Sequence, residues 1–208
     1  MTETVEMMLS DEQIAQNKAE FIKIWNDTIV AANRAGAAKL LAWLEGTDFF
    51  EAPASTRFHG AYRGGLCMHS LNVYHAFKEL CESHYAKEWE IGPDSIALMA
   101  LAHDFCKISC YKPGFRNVKN DETGKWEKVA TFTFEDALPA GHGEKSAFLI
   151  ERFMRLKTEE WMGIRWHMGG FDSAVKGGDM ALNNAWAMYP SGAALHMADL
   201  TATHLMNE

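Results

Sequence analysis

An all-α fold, a helical bundle with one small β-hairpin insert, is what this 208-residue chain predicts. Three observations carry that expectation. Apolar residues recur at helical spacing over most of the length, a strand-like pattern occurs only around one turn signal near residue 120, and Ser, Thr, Pro and Gly stand where helices would start and stop. With 48% hydrophobic and 23% charged residues the composition fits an ordinary soluble protein able to bury a sizeable core, and the length fits one domain spanning 1–208.

Taken in order, Ser10 followed three residues later by Gln13 is a capping-box pattern, and Ile14, Phe21, Ile22, Trp25 and Ile29 then recur on one helical face. The Ala-rich stretch from Ala35 to Leu44 predicts a second helix stopped near Gly46, so N-terminal helices occupy 10–46. Thr47 to Gly64, with Pro53 and many small or polar residues, reads as a loop. Leu66, Val73, Phe77, Leu80 and Cys81 form the apolar stripe of a helix from Gly65 to about Tyr85, and Gly92-Pro93-Asp94 opens another to about Ile108. Asn120 to Gly124 is a turn signal flanked by Val118 on one side and Trp126, Val129, Phe132 and Phe134 on the other, hence a hairpin over about 111–134. Helix resumes from Gly141 to about Leu156. Thr158, with Glu159 and Glu160 behind it, supplies an N-cap for a short helix ending at Gly169-Gly170. Phe171 to Pro190 reads as mostly loop, and a last helix carries Leu195, Ala198, Asp199, Ala202 and Leu205.

Charge and cysteine usage exclude several function classes. A formal charge of −8 works against a large surface for duplex nucleic acid, which draws most of its affinity from Lys and Arg. No basic stretch leads the N-terminus into an apolar run, and no apolar segment approaches the roughly 20 residues needed to span a bilayer, so a cytoplasmic protein with no membrane partner is expected. Cys67, Cys81, Cys106 and Cys110 fall in helical segments without a Cys-x-x-Cys pair, which favours reduced core or site-lining thiols over disulfides or a zinc knuckle.

The chemistry-bearing residues stand in an ordered series: His69, then His103 with Asp104, then His142, then His167, then Asp199. Consecutive helical residues point about 100° apart, so His103 and Asp104 can share an ion lying between their directions, with Lys107 four residues after the first and three after the second. Imidazole, carboxylate and ammonium would then line one wall of a single pocket.

Two segments carry a resemblance. Ala102-His103-Asp104-Phe105-Cys106-Lys107-Ile108 resembles the His-Asp-x-x-Lys signature of the HD-domain superfamily of metal-dependent phosphohydrolases. Phe58-His59-Gly60-Ala61-Tyr62-Arg63-Gly64-Gly65-Leu66-Cys67-Met68-His69-Ser70-Leu71 is similar to the segment that opens the HD domain of bacterial 3′→5′ exoribonucleases. Gly141-His142-Gly143, Arg165-Trp166-His167-Met168-Gly169-Gly170 and Leu195-His196-Met197-Ala198-Asp199 follow in the expected order, so the resemblance runs from about Phe58 to Leu205 and implies a metal-binding core over 58–208. The residues before Phe58 are too few and too helical for that group's OB-fold domain, and the insert after Lys112 is longer. This argues against processive RNA degradation and leaves open hydrolysis of a nucleotide or short single-stranded oligonucleotide.

The resemblance implies that His69, His103, Asp104 and Asp199 hold one ion, that His142 and His167 complete a second, and that Asp104 bridges them. One or two divalent ions (Mn, Fe, Co, Ni or Zn) suit such nitrogen and oxygen ligands. Hydrolysis of a phosphomonoester or phosphodiester by a metal-activated water is the implied reaction, with Asp104 and Lys107 as catalytic residues. Lys107, Arg63 beside Gly64-Gly65, Lys145 three residues after His142, and His196 one turn before Asp199 are the candidate substrate contacts. His59, His75, His84 and His204 are expected to be non-ligands. Nearly the same ligand order serves mixed-valent diiron oxygenases of the superfamily, and a non-catalytic metal or nucleotide sensor is the third possibility. Specificity would lie in the loops 47–64, 111–140 and 170–190.

Overall fold

A computed structural model describes residues 9–83, 86 and 89–206. The first helix, α1 (Asp11–Trp25), starts where its sequence announces it: the Ser10 hydroxyl accepts from the Gln13 amide and the Gln13 side chain accepts from the Ser10 amide. A single π turn (Asn26–Val30) continues it. Then follow α2 (Ala37–Glu45), α3 (Gly65–Glu82) and α4 (Pro93–Ala102). Next come the strands β1 (Tyr111–Lys119) and β2 (Trp126–Phe134), and then α5 (His142–Glu151) and α6 (Thr158–Trp166). The chain closes with α7 (Ser173–Lys176), α8 (Ala181–Met188) and α9 (Pro190–Leu205). Among the described residues the fold is mostly helical with one small antiparallel sheet, as the sequence predicts. Among the described residues no helix is long and apolar enough to cross a membrane.

Helix α4 is the centre of the molecule. It is buried from Ser95 to Ala102 and packs on α3, α6 and the turn after α1. Around it Phe21, Trp25, Phe49 and Phe105 interlock: the Trp25 and Phe105 rings stack at 6.4 Å, and Phe49 meets Phe105 edge-on at 5.4 Å. A fully buried side chain of this size stabilises the fold by roughly 1.5–3 kcal/mol. Phe105 therefore anchors the segment that carries Asp104 to the aromatic core.

The predicted hairpin is present, with Tyr111 opposite Phe134 and Lys119 opposite Trp126. Its turn closes because Asn120 Oδ1 accepts from the Glu122 and Thr123 amides, and Gly124 takes φ +67°. Tyr111 and Thr131 donate to the carbonyls of Ala54 and Thr56, which tie the hairpin to the 47–64 loop.

Several boundaries differ from the sequence expectation. The helix opened by Pro93 stops at Ala102, not Ile108, because Asp104 takes φ −103° and ψ 20° and Phe105–Lys107 tightens into a 3₁₀ turn. The helix from His142 ends at Glu151, whose carboxylate accepts from the Leu156 amide beyond it. Lys157, not Thr158, caps α6, since the Glu160 carboxylate accepts from the Lys157 amide. The segment 171–190 is not mostly loop: Asp172 caps α7 through the Ala174 amide, Asp179 accepts from the Ala181 amide at the start of α8, and Leu182 and Ala185 bury against Trp166. Residues 1–8, His84 and the expected helix end at Tyr85 lie outside the described residues.

Candidate metal centre

Two histidines sit at helix C-termini, and that position dictates their chemistry. The last carbonyls of a helix have no intrahelical donor. His103, capping α4, places Nδ1 2.7 Å from the Ala100 carbonyl, and His167, capping α6, places Nδ1 2.7 Å from the Ile164 carbonyl. A carbonyl only accepts, so each Nδ1 carries a proton, and in the neutral ring this leaves Nε2 to present a lone pair. Both rings are fully buried, and neither Nε2 has a hydrogen-bond partner in the structure. Desolvating a basic nitrogen without a partner is costly, and a fixed tautomer with its lone pair aimed into a shared space is how histidine meets a metal.

Asp104 lies between them. Its Oδ2 is 3.4 Å from His103 Nε2, 3.7 Å from His69 Nε2 and 2.7 Å from Lys107 Nζ. Its Oδ1 is 2.8 Å from His142 Nε2 and 3.7 Å from His167 Nε2. Asp199, on α9, closes the first side, with Oδ1 3.1 Å from His69 Nε2. His69, His103 and Asp199 form one group able to hold an ion, and His103, Asp104 and His167 form another. Four of the residues expected as ligands, His69, His103, His142 and His167, thus gather around the Asp104 carboxylate, and Asp199 joins them through His69.

The glycines before α3 explain how His69 arrives there. A Cβ on Gly65 would stand 2.1 Å from the Gly60 carbonyl oxygen, so only glycine lets the 47–64 loop fold back across the start of α3. The Leu66 amide then bonds the Ala52 carbonyl, and the Gly64 amide bonds that of Glu51. The same fold-back puts the His59 ring 4.7 Å from that of His69. His59, expected to be a bystander, therefore extends the row of imidazoles formed by His69, His103, His167 and His142.

Electrostatics match the geometry. Burial works to raise the Asp104 carboxyl, but the Lys107 ammonium, His103 and the His142 hydrogen bond hold it well below its ordinary value. Lys107 is raised against burial by Asp104, so both remain charged in the interior. The 3₁₀ turn accounts for the pair, because residues i and i+3 eclipse in that helix. Asp199 is held low, again against burial, by His69 and His103. Burial lowers His142 while Cys106 and Asp104 raise it, to about 9.

On the Oδ1 side the site opens, the His142 side chain being 34% exposed. A cavity of about 270 Å³ lies there, lined by Cys106, Lys107, Phe134, Asp136, Gly141, His142 and Lys145 among others. Lys145 stands on the wall of this cavity, with Nζ 2.5 Å from Asp136 Oδ1 and 3.2 Å from Cys110 Sγ. His196 supports the site from behind: its Nδ1 donates to the His167 carbonyl at 2.6 Å, and its ring packs on Trp186. Arg63 is not brought to the cluster. It is exposed and paired with Asp11 and Glu51. His75 pairs with Glu20 at the surface, His204 is exposed, and the cysteines are free thiols.

Sequence reasoning gave no place to Asp136, and it set His59 among the non-ligands, where the groups able to hold an ion also leave it. Asp136 gives no local signal, whereas His59 stands inside the glycine-rich segment that leads to His69. No family model, curated protein or solved structure matches the chain.

Proposed function

We propose that this protein is a metal-dependent phosphohydrolase of the HD type, cleaving a phosphomonoester or phosphodiester of a nucleotide or short oligonucleotide. The observation that carries the reading is Asp104: one oxygen faces His69, His103 and Lys107, and the other faces His142 and His167. With the buried, unpartnered Nε2 atoms of His103 and His167 beside it, this donor set fits one or two divalent transition ions.

A divalent ion bound there would supply a water of lowered pKa and the net positive charge that a phosphate requires. The protein's own residues set the rest. Lys107 and Lys145 are matched by Asp104 and Asp136, so the wall by itself is nearly neutral. Lys107 uses one donor on Asp104 and can turn the others to a phosphate oxygen from its place on the cavity wall, offsetting charge that grows toward the transition state. At about 270 Å³ the cavity is near the lower end of small-molecule sites, about 300–1,000 Å³, which favours a compact ester over a polymer threaded through the site.

The test is elemental analysis of the purified protein, followed by a screen of phosphomonoesters, nucleotides, cyclic nucleotides and short oligonucleotides with Mn²⁺, Co²⁺, Ni²⁺ or Zn²⁺ added. Phosphate-ester cleavage that requires metal and is lost in Asp104→Ala is expected. Stoichiometric metal without turnover across the panel would favour a sensor instead.

A further inference from the structure

We propose that Cys106 is a metal ligand, so that the position on the Oδ1 side of Asp104 is a mixed nitrogen, oxygen and sulfur site suited to a thiophilic divalent ion such as Zn²⁺, Co²⁺ or Fe²⁺. The proposal rests on the metal reading above and deepens it.

Cys106 is 4% exposed, and its Sγ stands 3.9 Å from Asp104 Oδ1. Metal bonds of about 2.3 Å to sulfur and about 2.0–2.2 Å to oxygen let one ion touch both atoms when they are closer than about 4.4 Å, a condition that 3.9 Å meets. His142 Nε2 is 2.8 Å from the same oxygen, and Asp104, Cys106 and His142 each offer an atom to a group within 4.8 Å. A further unpartnered donor borders the same oxygen. The buried His167, its Nε2 without a partner, lies 3.7 Å from that oxygen. Thiol, carboxylate and the His142 imidazole therefore form one group, with His167 in the neighbouring group that shares Asp104, and these donor types are those of zinc sites.

The other side of Asp104 is different in kind. His69, His103, Asp199 and Asp104 Oδ2 offer nitrogen and oxygen alone. Soft thiolate favours zinc and its neighbours, while carboxylate and imidazole without sulfur accept manganese as readily, so the two sides should prefer different metals. The backbone holds the thiol in place: the Cys106 amide donates to Ser146 Oγ at 3.0 Å within the 3₁₀ turn. Among the described residues Cys106 is the one thiol that groups with these ligands. Cys110 instead meets the Lys145 ammonium and the Cys106 and Ile108 carbonyls. Binding involves no redox change: the S–H bond breaks, the sulfur lone pair forms the metal bond, and one proton is released to solvent.

Cobalt reports the two kinds of donor separately. Chelator-stripped protein is titrated with Co²⁺, whose visible ligand-field bands record coordination of any kind and whose near-ultraviolet charge-transfer band records sulfur. The expected result is a charge-transfer band that Cys106→Ser removes and Cys110→Ser retains. Ligand-field bands should persist in Cys106→Ser, one proton fewer should be released, and Zn²⁺ affinity should fall by roughly 10-fold or more, the scale seen even for groups that only support a ligand. Ligand-field bands without charge transfer in the wild type, or a band that survives Cys106→Ser, would overturn the proposal. An absence of all cobalt bands would sink the metal reading itself, a different failure. Should Cys106→Ser not fold, X-ray absorption on the zinc-loaded wild type decides: a sulfur scatterer at about 2.3 Å supports the ligand, and nitrogen and oxygen alone exclude it.

Discussion

Helices α4 and α6 pack against each other and carry a buried charged cluster at both ends, and the two clusters obey opposite rules. At the N-terminal ends Glu160 is saturated. Its Oε1 accepts from Arg34 at 2.7 Å and from Ser95 at 2.6 Å, and its Oε2 accepts from Arg34 and the Lys157 amide, each at 2.8 Å. Asp94 joins through Arg34 and Lys157. Carboxylates suit helix N-termini, and here the chain supplies partners for their oxygens. At the C-terminal ends the histidines are pinned by their Nδ1 atoms while the Nε2 lone pairs of His103 and His167 have no protein donor. The first cluster is completed by the protein itself; the second keeps two buried ring nitrogens without a protein donor.

The comparison predicts that damage at the two ends will be of different kinds. Asp104→Ala should bring the largest loss, removing hydrolysis and tightly bound metal together while the far-ultraviolet circular dichroism keeps its helical shape. Full metal content and activity in that variant would erase the distinction. Glu160→Ala should do the reverse. It leaves Arg34 to Asp94 and the Arg155 carbonyl and takes the acceptor from Ser95 and the Lys157 amide, so unfolding should cost roughly 1–3 kcal/mol less in a urea titration, with the metal content of the folded protein unchanged.

Lys107→Ala should come next, lowering kcat/KM by roughly 10²-fold, about 2.7 kcal/mol, with metal content nearly constant. A loss of metal equal to that of Asp104→Ala would make Lys107 a structural partner of the carboxylate instead.

Much of this contrast was legible in the sequence. The order of the His and Asp residues that cluster, the capping box at Ser10 and the hairpin turn at Asn120 are local signals, and local signals survive folding. Other features depend on tertiary placement. Arg63 beside two glycines looked like a substrate contact, but Asp11 and Glu51 claim it from elsewhere in the chain. The ring contact of His59 with His69 was not legible, because nothing local shows that Gly65 lets its loop fold back to α3. The helix expected to run to Ile108 would have turned Cys106 elsewhere; the break after Ala102 sends it toward Asp104. Asp172 and Asp179 read as loop residues, whereas in place they start α7 and α8.

The smallest predicted effect is on acid stability. Burial alone would raise the Glu160 carboxyl, yet bonds from Arg34, Ser95 and the Lys157 amide hold it below its ordinary value of 4.5. A carboxyl whose folded-state pKa is depressed contributes stability that is fully present above its unfolded value and is lost as pH falls through the folded one. The urea midpoint of the wild type should therefore drop as pH is lowered below about 4.5, more steeply than that of Glu160→Gln. Parallel curves would show that Glu160 does not govern that end of the molecule.

The most direct measurement follows phosphate release and dissolved oxygen together as Mn²⁺ or Co²⁺ is returned to chelator-stripped wild type over a panel of nucleotides and short oligonucleotides. The account predicts ester cleavage that rises with bound metal, levels off at one or two ions per chain, and consumes no oxygen. Substrate-dependent oxygen uptake by iron-loaded protein, with no ester cleaved under any metal, would contradict it and assign the same ligands to an oxygenase.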